Sequence, residues 1–186
     1  MGEPGTKQDV ISLEELEAAG SGRTGRRHIL SILVENKPGV LTRIAGLFAR
    51  RGFNIDTLVV GPTDDESLSR ITLTVDGAMH PIDQVTKQLH KLVNVLKIRD
   101  LEPDEAVARE MSLFKISADA GSRGEIMQVV EIFRAKIIDV QRRSVIVEVT
   151  GTHDKVEAFE RMVRPFGLVE MARTGEIALS RGRGET

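Results

Sequence analysis

Apolar and polar positions switch between two periods along the chain, and the switch points predict the elements. His28 to Val34 is nearly all apolar with Ser31 in the middle, which reads as a central strand covered on both faces. Asn36-Lys37-Pro38-Gly39 turns the chain. Val40, Ile44, Leu47 and Phe48 then recur at helical spacing up to Arg51, while Arg43, Arg50 and Arg51 lie off that stripe. Gly52 suits the helix end. Phe53 to Val60 predicts a second strand, with Phe53, Ile55, Thr57 and Val59 on one side and Asn54, Asp56, Leu58 and Val60 on the other. The turn-rich loop from Gly61 to Glu66 leads to a third strand with Ser69, Ile71, Leu73 and Val75 on one face, which predicts a hairpin. Pro81 suits the first position of a second helix, with Ile82, Val85, Leu89 and Leu92 on one face. Val93 to Leu101 is the fourth strand.

Residues 28–102 therefore spell β-α-β-β-α-β, the order of a ferredoxin-like domain. A polar linker, 103–110, follows. The pattern then repeats over 111–180. Met111 to Ala118 is a strand. Arg123 to Ala135 is a helix with Ile126, Val129, Val130 and Phe133 inward, and Ile137 to Gln141 is a strand. Ser144 to Thr150 alternates cleanly, and Asp154 to Val163 is a helix burying Val156, Phe159 and Val163. Leu168 to Met171 and Ile177 to Leu179 complete the sheet, with an interruption near Gly175. The spacing from Ile29 to Phe53 equals that from Leu113 to Ile137. The expected class is α+β, with two tandem βαββαβ domains flanked by tails at 1–27 and 181–186. Within the first tail, residues 12–17 have the look of a capping box. Domains this small, each with one uncovered sheet face, call for packing against the other half, a second copy or a partner protein. A homo-oligomer is the economical answer.

Composition narrows the function. Of 186 residues, 40% are apolar and 29% charged, as in an ordinary globular protein. The net charge of −2 gives no global attraction to nucleic acid or anionic membrane. Cysteine is absent, which excludes disulfides, thiolate metal sites and cysteine nucleophiles and is compatible with a cytoplasmic setting. No run approaches the ~20 apolar residues of a membrane span, and the N-terminus shows no signal-peptide pattern. Trp and Tyr are absent, so a stacking RNA platform on the sheet is not expected.

Little looks catalytic. His28, His80, His90 and His153 do not stand at metal-ligand spacing and read as surface histidines. Asp64-Asp65-Glu66 lacks the interleaved spacing of a calcium loop and reads as a solvated turn. The pairs Arg26-Arg27, Arg50-Arg51 and Arg142-Arg143 read as solvated faces, and no Gly-x-Ser-x-Gly elbow occurs. What remains is the first turn. The helix after Gly39 opens with N–H groups that have no partner inside the helix and carry its positive end. Gly39 lets a ligand approach the backbone. The turn reads either as a plain turn or as a small anion site suited to a carboxylate. Asn36 can donate and accept, Gly39, Val40 and Leu41 offer N–H groups, and Asn54 and Ile55 start the neighbouring strand. The aliphatic surroundings favour an amino acid with a small aliphatic side chain. The equivalent place in the repeat, Asp119 to Gly124, lacks the Asn-x-Pro-Gly form, and no matching site is expected there.

The strand ending in Glu-Asn-x-x-Gly-Val-Leu, followed by Arg-Ile-x-Gly-Leu-Phe-x-x-Arg-Gly-Phe-Asn-Ile, resembles an ACT domain. Leu58 to Asp65 with Leu68 to Thr72, Lys87 to Val95, Ile132 to Val140 and Ala172 to Gly175 narrow this. Together they resemble the regulatory (small) subunits of acetolactate synthase over about residues 27–182. The resemblance implies a non-catalytic chain without cofactors of its own. Its partner would be a large subunit using thiamine diphosphate, FAD and Mg2+, which the small subunit activates and makes sensitive to feedback by valine. It also implies a homodimer of ACT domains with the effector at the interface, touching Asn36, Gly39, Val40 and Leu41 of one chain and Asn54 and Ile55 of the other. A stand-alone amino-acid-sensing ACT protein with another client enzyme is the alternative.

Overall fold

A computed structural model describes residues 27–76, 82–102 and 104–182. Residues 12–17, Arg26, His80 and Pro81, on which the sequence raised expectations, lie outside the described residues. The first half runs β1 (Arg27–Glu35), α1 (Val40–Arg51), β2 (Ile55–Pro62), β3 (Leu68–Asp76), α2 (Ile82–Leu89) and β4 (Val95–Leu101). Its antiparallel sheet has the order β2-β3-β1-β4. Strand β1 is central, which explains its unbroken apolar run. Leu30, Ile32 and Val34 are buried in the core with Val40, Ile44, Leu47 and Phe48 of α1 and Val85 and Leu89 of α2. Ser31, pointing to the opposite face, is buried too. Gly52 ends α1 at φ 70°, a left-handed conformation that glycine adopts without a Cβ penalty.

The alternation expected along β2 fails at Asp56. Ile55 pairs with Val75, but Thr57 pairs with Thr74, so the register slips by one residue. Ile55 accordingly packs on the core under the helices. Thr57 and Val59 pair with Thr74 and Thr72 on the opposite face, whereas Leu58 and Val60 stand beside Leu73 and Ile71 on the helix side. Ile55 therefore does not share a face with Thr57 and Val59. An inserted residue reverses the facing of everything after it, and a period-two pattern cannot register that.

The second half runs β5 (Ala106–Ser117), α3 (Arg123–Ile132), β6 (Lys136–Val140), β7 (Ser144–Gly151), α4 (His153–Val163), β8 (Leu168–Arg173) and β9 (Ile177–Ser180). Its sheet order, β6-β7-β5-β8, repeats that of the first half. Phe114, Ile116, Val145, Val147 and Val149 meet Ile126, Val130, Val156 and Phe159 in a second core. The rings of Phe114 and Phe159 lie 5.1 Å apart and those of Phe133 and Phe159 5.4 Å apart. Both α+β halves are thus ferredoxin-like.

The stretch expected as a linker, 103–110, is mostly strand. Before it, Glu105 N–H donates to Glu102 O at 3.0 Å. From Ala106 to Arg109 the chain pairs with β9, and the rest of β5 pairs with β7 and β8. Polar composition marked the turn, but the distant partner strand that orders Ala106 onwards left no local signal. This pairing also covers the first sheet. Ala106 and Ala178 pack with Leu101 and Ile29, and Thr72 and Thr74 are 3% and 0% exposed. The face that called for a partner is covered, at least there, by the chain's own second half. Among the described residues, no helix is long and apolar enough to cross a membrane.

Candidate functional site

The turn after β1 is held from behind and left open in front. Asn36 N–H donates to Ser67 O at 2.7 Å, and its side-chain Nδ2 donates to Glu66 O at 3.0 Å. Both bonds tie it to the loop before β3, and its Oδ1 meets no donor among the described residues. Behind it, Asn94 Nδ2 donates to Glu35 Oε2 and Arg43 Nη1 donates to Asn94 Oδ1 at 2.7 Å. The Asn94 bond, then that from Lys37 Nζ at 3.0 Å, holds the Glu35 carboxyl below its usual range. No local pattern announces this brace, because Asn94 lies across the sheet in the turn before β4.

Gly39 precedes α1 at φ 84°, ψ −7°, and no side chain caps the helix. An added Cβ there meets nothing within 4 Å, so the space in front of the backbone is open. Val40 N–H donates to Lys37 O at 3.3 Å, and the Val40 side chain is buried in the core. Val40 therefore contributes less to an anion site than the spacing implied. The N–H groups of Gly39, Leu41 and Thr42 meet no acceptor among the described residues. Thr42 was not foreseen; it follows from counting the orphan donors of a helix start rather than from a motif.

Asn54 and Ile55 are not near this turn within one chain. Glu35 pairs with Leu68, whereas Ile55 pairs with Val75, at the other end of β3. About seven residues of strand separate the two ends, or about 23 Å at ~3.3 Å per residue. Asn54 Nδ2 donates to Asp56 Oδ1 at 2.9 Å, and its amide oxygen likewise meets no donor among the described residues. Strand β2 is an edge of its sheet, and its helix-side residues Leu58 and Val60 are exposed, as is Leu41 of α1. An unpaired edge with apolar side chains is a surface suited to pairing with another strand.

The equivalent turn in the second half is filled by its own side chains. Asp119 Oδ1 accepts from Gly121 N at 3.0 Å, Ser122 N at 2.8 Å and Ser122 Oγ at 2.8 Å. These bonds, led by the Ser122 backbone, depress the Asp119 carboxyl. Arg123 Nη2 donates to the carbonyls of Ala118, Gln141 and Arg142 at 3.1, 2.7 and 2.9 Å. No side chain caps either helix, but the turn before α3 is occupied by these side chains and the turn before α1 is open.

Elsewhere, His90 is exposed as expected, whereas His28 and His153 meet carboxylates. His28 Nδ1 lies 2.8 Å from Asp100 Oδ2, and His153 Nε2 lies 3.0 Å from Glu157 Oε1. No cluster of three or more His, Asp or Glu among the described residues is arranged to hold a metal ion.

Comparison with known proteins decides the family. The model of the AHAS small subunit-like ACT domain matches residues 30–97, and that of the small subunit of acetolactate synthase matches residues 109–182. The chain belongs to the acetolactate synthase small-subunit family. It is 50% identical over 155 residues to the acetolactate synthase small subunit of Mycolicibacterium smegmatis, covering 83% of this chain and 91% of that one. It is 49% identical over 156 residues to the probable acetolactate synthase small subunit of Archaeoglobus fulgidus, covering 84% and 98%. The crystal structure of the small subunit from Thermotoga maritima superposes with a TM-score of 0.77 at 46% identity, covering 86% of this chain and 99% of that chain. The first half is thus an ACT domain, and the chain is a small, regulatory subunit of the acetolactate synthase type.

Proposed function

We propose that this chain joins a catalytic acetolactate synthase large subunit in branched-chain amino-acid biosynthesis, raises its activity, and makes it sensitive to feedback inhibition by valine. The thiamine diphosphate, FAD and Mg2+ of the reaction reside in the large subunit, and this chain is non-catalytic and cytoplasmic. Valine lies between two copies of the ACT domain. The observation that carries the reading is the bare start of α1 at one end of the sheet, with Asn54 and Ile55 at the other. One chain cannot bring them together. A second copy paired antiparallel along the free edge of β2 sets the Ile55 end of one strand against the Pro62 end of the other, beside Gly39.

In that arrangement the valine carboxylate accepts from the N–H groups of Gly39, Leu41 and Thr42. Its ammonium donates to the Oδ1 of Asn36 and, from the partner chain, to Asn54. The side chain meets Ile55 and the aliphatic rim. Binding changes the large subunit only to the extent that the two arrangements of the dimer differ in valine affinity. The coupling is reciprocal, on a usual scale of ~1–3 kcal/mol. Calorimetric titration of the isolated chain with valine, leucine and isoleucine, alongside inhibition of enzyme reconstituted with the large subunit, tests this. Saturable valine binding with inhibition over the same range is the expected result. A chain that binds none of the three overturns the effector assignment.

A further inference from the structure

The turn between β8 and β9 buries Gly175 and Glu176 and lies against β2, the strand that begins at Ile55. Thr174 N–H donates to Met111 O at 3.0 Å, and Thr174 Oγ1 accepts from Met111 N–H at 3.1 Å, which fastens the turn to β5. Gly175 has φ +85°, and a Cβ built there would stand 3.0 Å from Thr57 Cβ and 3.0 Å from Val59 Cγ2. The backbone of the second half thus rests directly on β2 of the ACT sheet. Glu176 is 4% exposed, and its Oε2 lies 3.0 Å from Arg27 Nη2 at the start of β1. The seat on β2 begins immediately after the register slip at Asp56. On the other side of that slip stands Ile55, with Asn54 before it. Thr57 Oγ1 and Thr74 Oγ1, 2.6 Å apart, brace the seat against β3.

We propose that the Thr174–Glu176 turn, seated on Thr57 and Val59, is the element that couples the effector site to the second half of the chain. The inference rests on the valine reading above and names how that site is read out. A bulge is a place where a strand can shift without breaking the ladder on either side. A displacement of Asn54 and Ile55 by a bound amino acid passes through the slip at Asp56 to Thr57 and Val59. There it meets backbone with no flexible side chain between, so the second half follows. Two packed arrangements of this seat would be the two states that effector and large subunit both bias.

The experiment compares wild type, Gly175→Ala, Val59→Ala and the double variant, each as full chain and reconstituted with the large subunit. Gly175→Ala puts a methyl in tight contact, 3.0 Å from Thr57 and Val59, at a φ of +85°; Val59→Ala opens space on the opposite side of the contact. Direct titration of the full chain is expected to give a valine Kd within about threefold of wild type in every folded variant. The valine concentration giving half-inhibition of reconstituted enzyme should rise about tenfold or more in each single variant, within the usual range of coupling strengths. The double variant should recover part of it, since the two substitutions act on one contact. If Gly175→Ala does not fold by circular dichroism, Val59→Ala carries the comparison, because it leaves the glycine backbone untouched. Unchanged inhibition in folded Gly175→Ala or Val59→Ala overturns the inference. So does a parallel loss of direct binding and inhibition, which would make the seat part of the site rather than its readout. Absence of valine binding to wild type is a separate failure, that of the underlying reading, and removes the inference with it.

Discussion

The sharpest probe of the proposed effector site is a pair of substitutions at Gly39. Both alanine and aspartate force a side chain into φ 84°, which costs about 1–2 kcal/mol for an L residue. Neither clashes, because a Cβ at this position meets nothing within 4 Å. For a unit of ACT-domain size, each 1 kcal/mol lowers Tm by about 4–8 °C, so both variants should fold with a modest drop. Their charges then separate two effects. A carboxylate at a helix N-terminus is favourable by about 0.3–1 kcal/mol. Gly39→Asp should therefore be no less stable than Gly39→Ala. Toward valine the order is reversed. Alanine leaves the N–H groups of Leu41 and Thr42 available, whereas aspartate occupies them and repels the ligand carboxylate. Losing charge-assisted hydrogen bonds of about 1.5–3 kcal/mol corresponds to a weakening of about 10–150-fold. Melting is followed by circular dichroism, because the chain has no Trp or Tyr, and binding by calorimetry. Equal valine affinity in the two variants would refute the reasoning, since strain is common to both and only the charge differs.

Two further outcomes follow from buried polar groups. Thr74→Val, at a residue 0% exposed, strands the Thr57 hydroxyl and should cost about 1–3 kcal/mol, while Thr57→Val/Thr74→Val together should be closer to neutral; additive losses in a denaturant double-mutant cycle would sink this account. Burial raises the Glu176 carboxyl above its ordinary value of 4.5, opposed by Arg27 and His153 and reinforced by Glu110 and Asp154. A raised folded value means that the stability tied to this group is complete below the unfolded value and is lost as pH rises through the folded one. Glu176→Gln should therefore gain on wild type as pH increases from 4.5 upwards, read as the difference in melting temperature between the two; a constant difference would count against the burial argument.

The elements were legible because most follow one period from end to end. Val40, Ile44, Leu47 and Phe48 form one stripe, and Val145, Val147 and Val149 one strand face, and both lie in the cores as spaced. The failures share a cause. The slip at Asp56, the strand character of Ala106 to Arg109 and the cover over Thr72 and Thr74 all depend on partners far away in sequence. Local patterning cannot report a distant partner. At the proposed site, the turn of Asn36 and the uncapped helix start at Gly39 were legible because helix starts and tight turns are local. The brace through Asn94 and the separation of Asn54 from Gly39 were not, since both are consequences of sheet register.

The last consequence concerns the two halves as variants of one scaffold. The turn before α3 is filled by Asp119 and clamped by Arg123, although no side chain caps that helix either. The start of α1 is bare, and the exposed apolar edge residues Leu58 and Val60 share its sheet. If both features serve one ligand held between two copies, ligand binding and dimer formation are a single linked equilibrium. Valine should then tighten the dimer, by about 2.7 kcal/mol at a free concentration 100-fold above its Kd if the monomer does not bind it. That is about a hundredfold shift in the dimer dissociation constant. Sedimentation of the isolated chain with and without valine reads the shift directly, and Gly39→Asp should abolish it while leaving the valine-free constant in place. A dimer constant indifferent to valine, in a chain that binds valine, would place the ligand within one protomer, where the register of β1 and β2 on β3 keeps Asn54 far from Gly39.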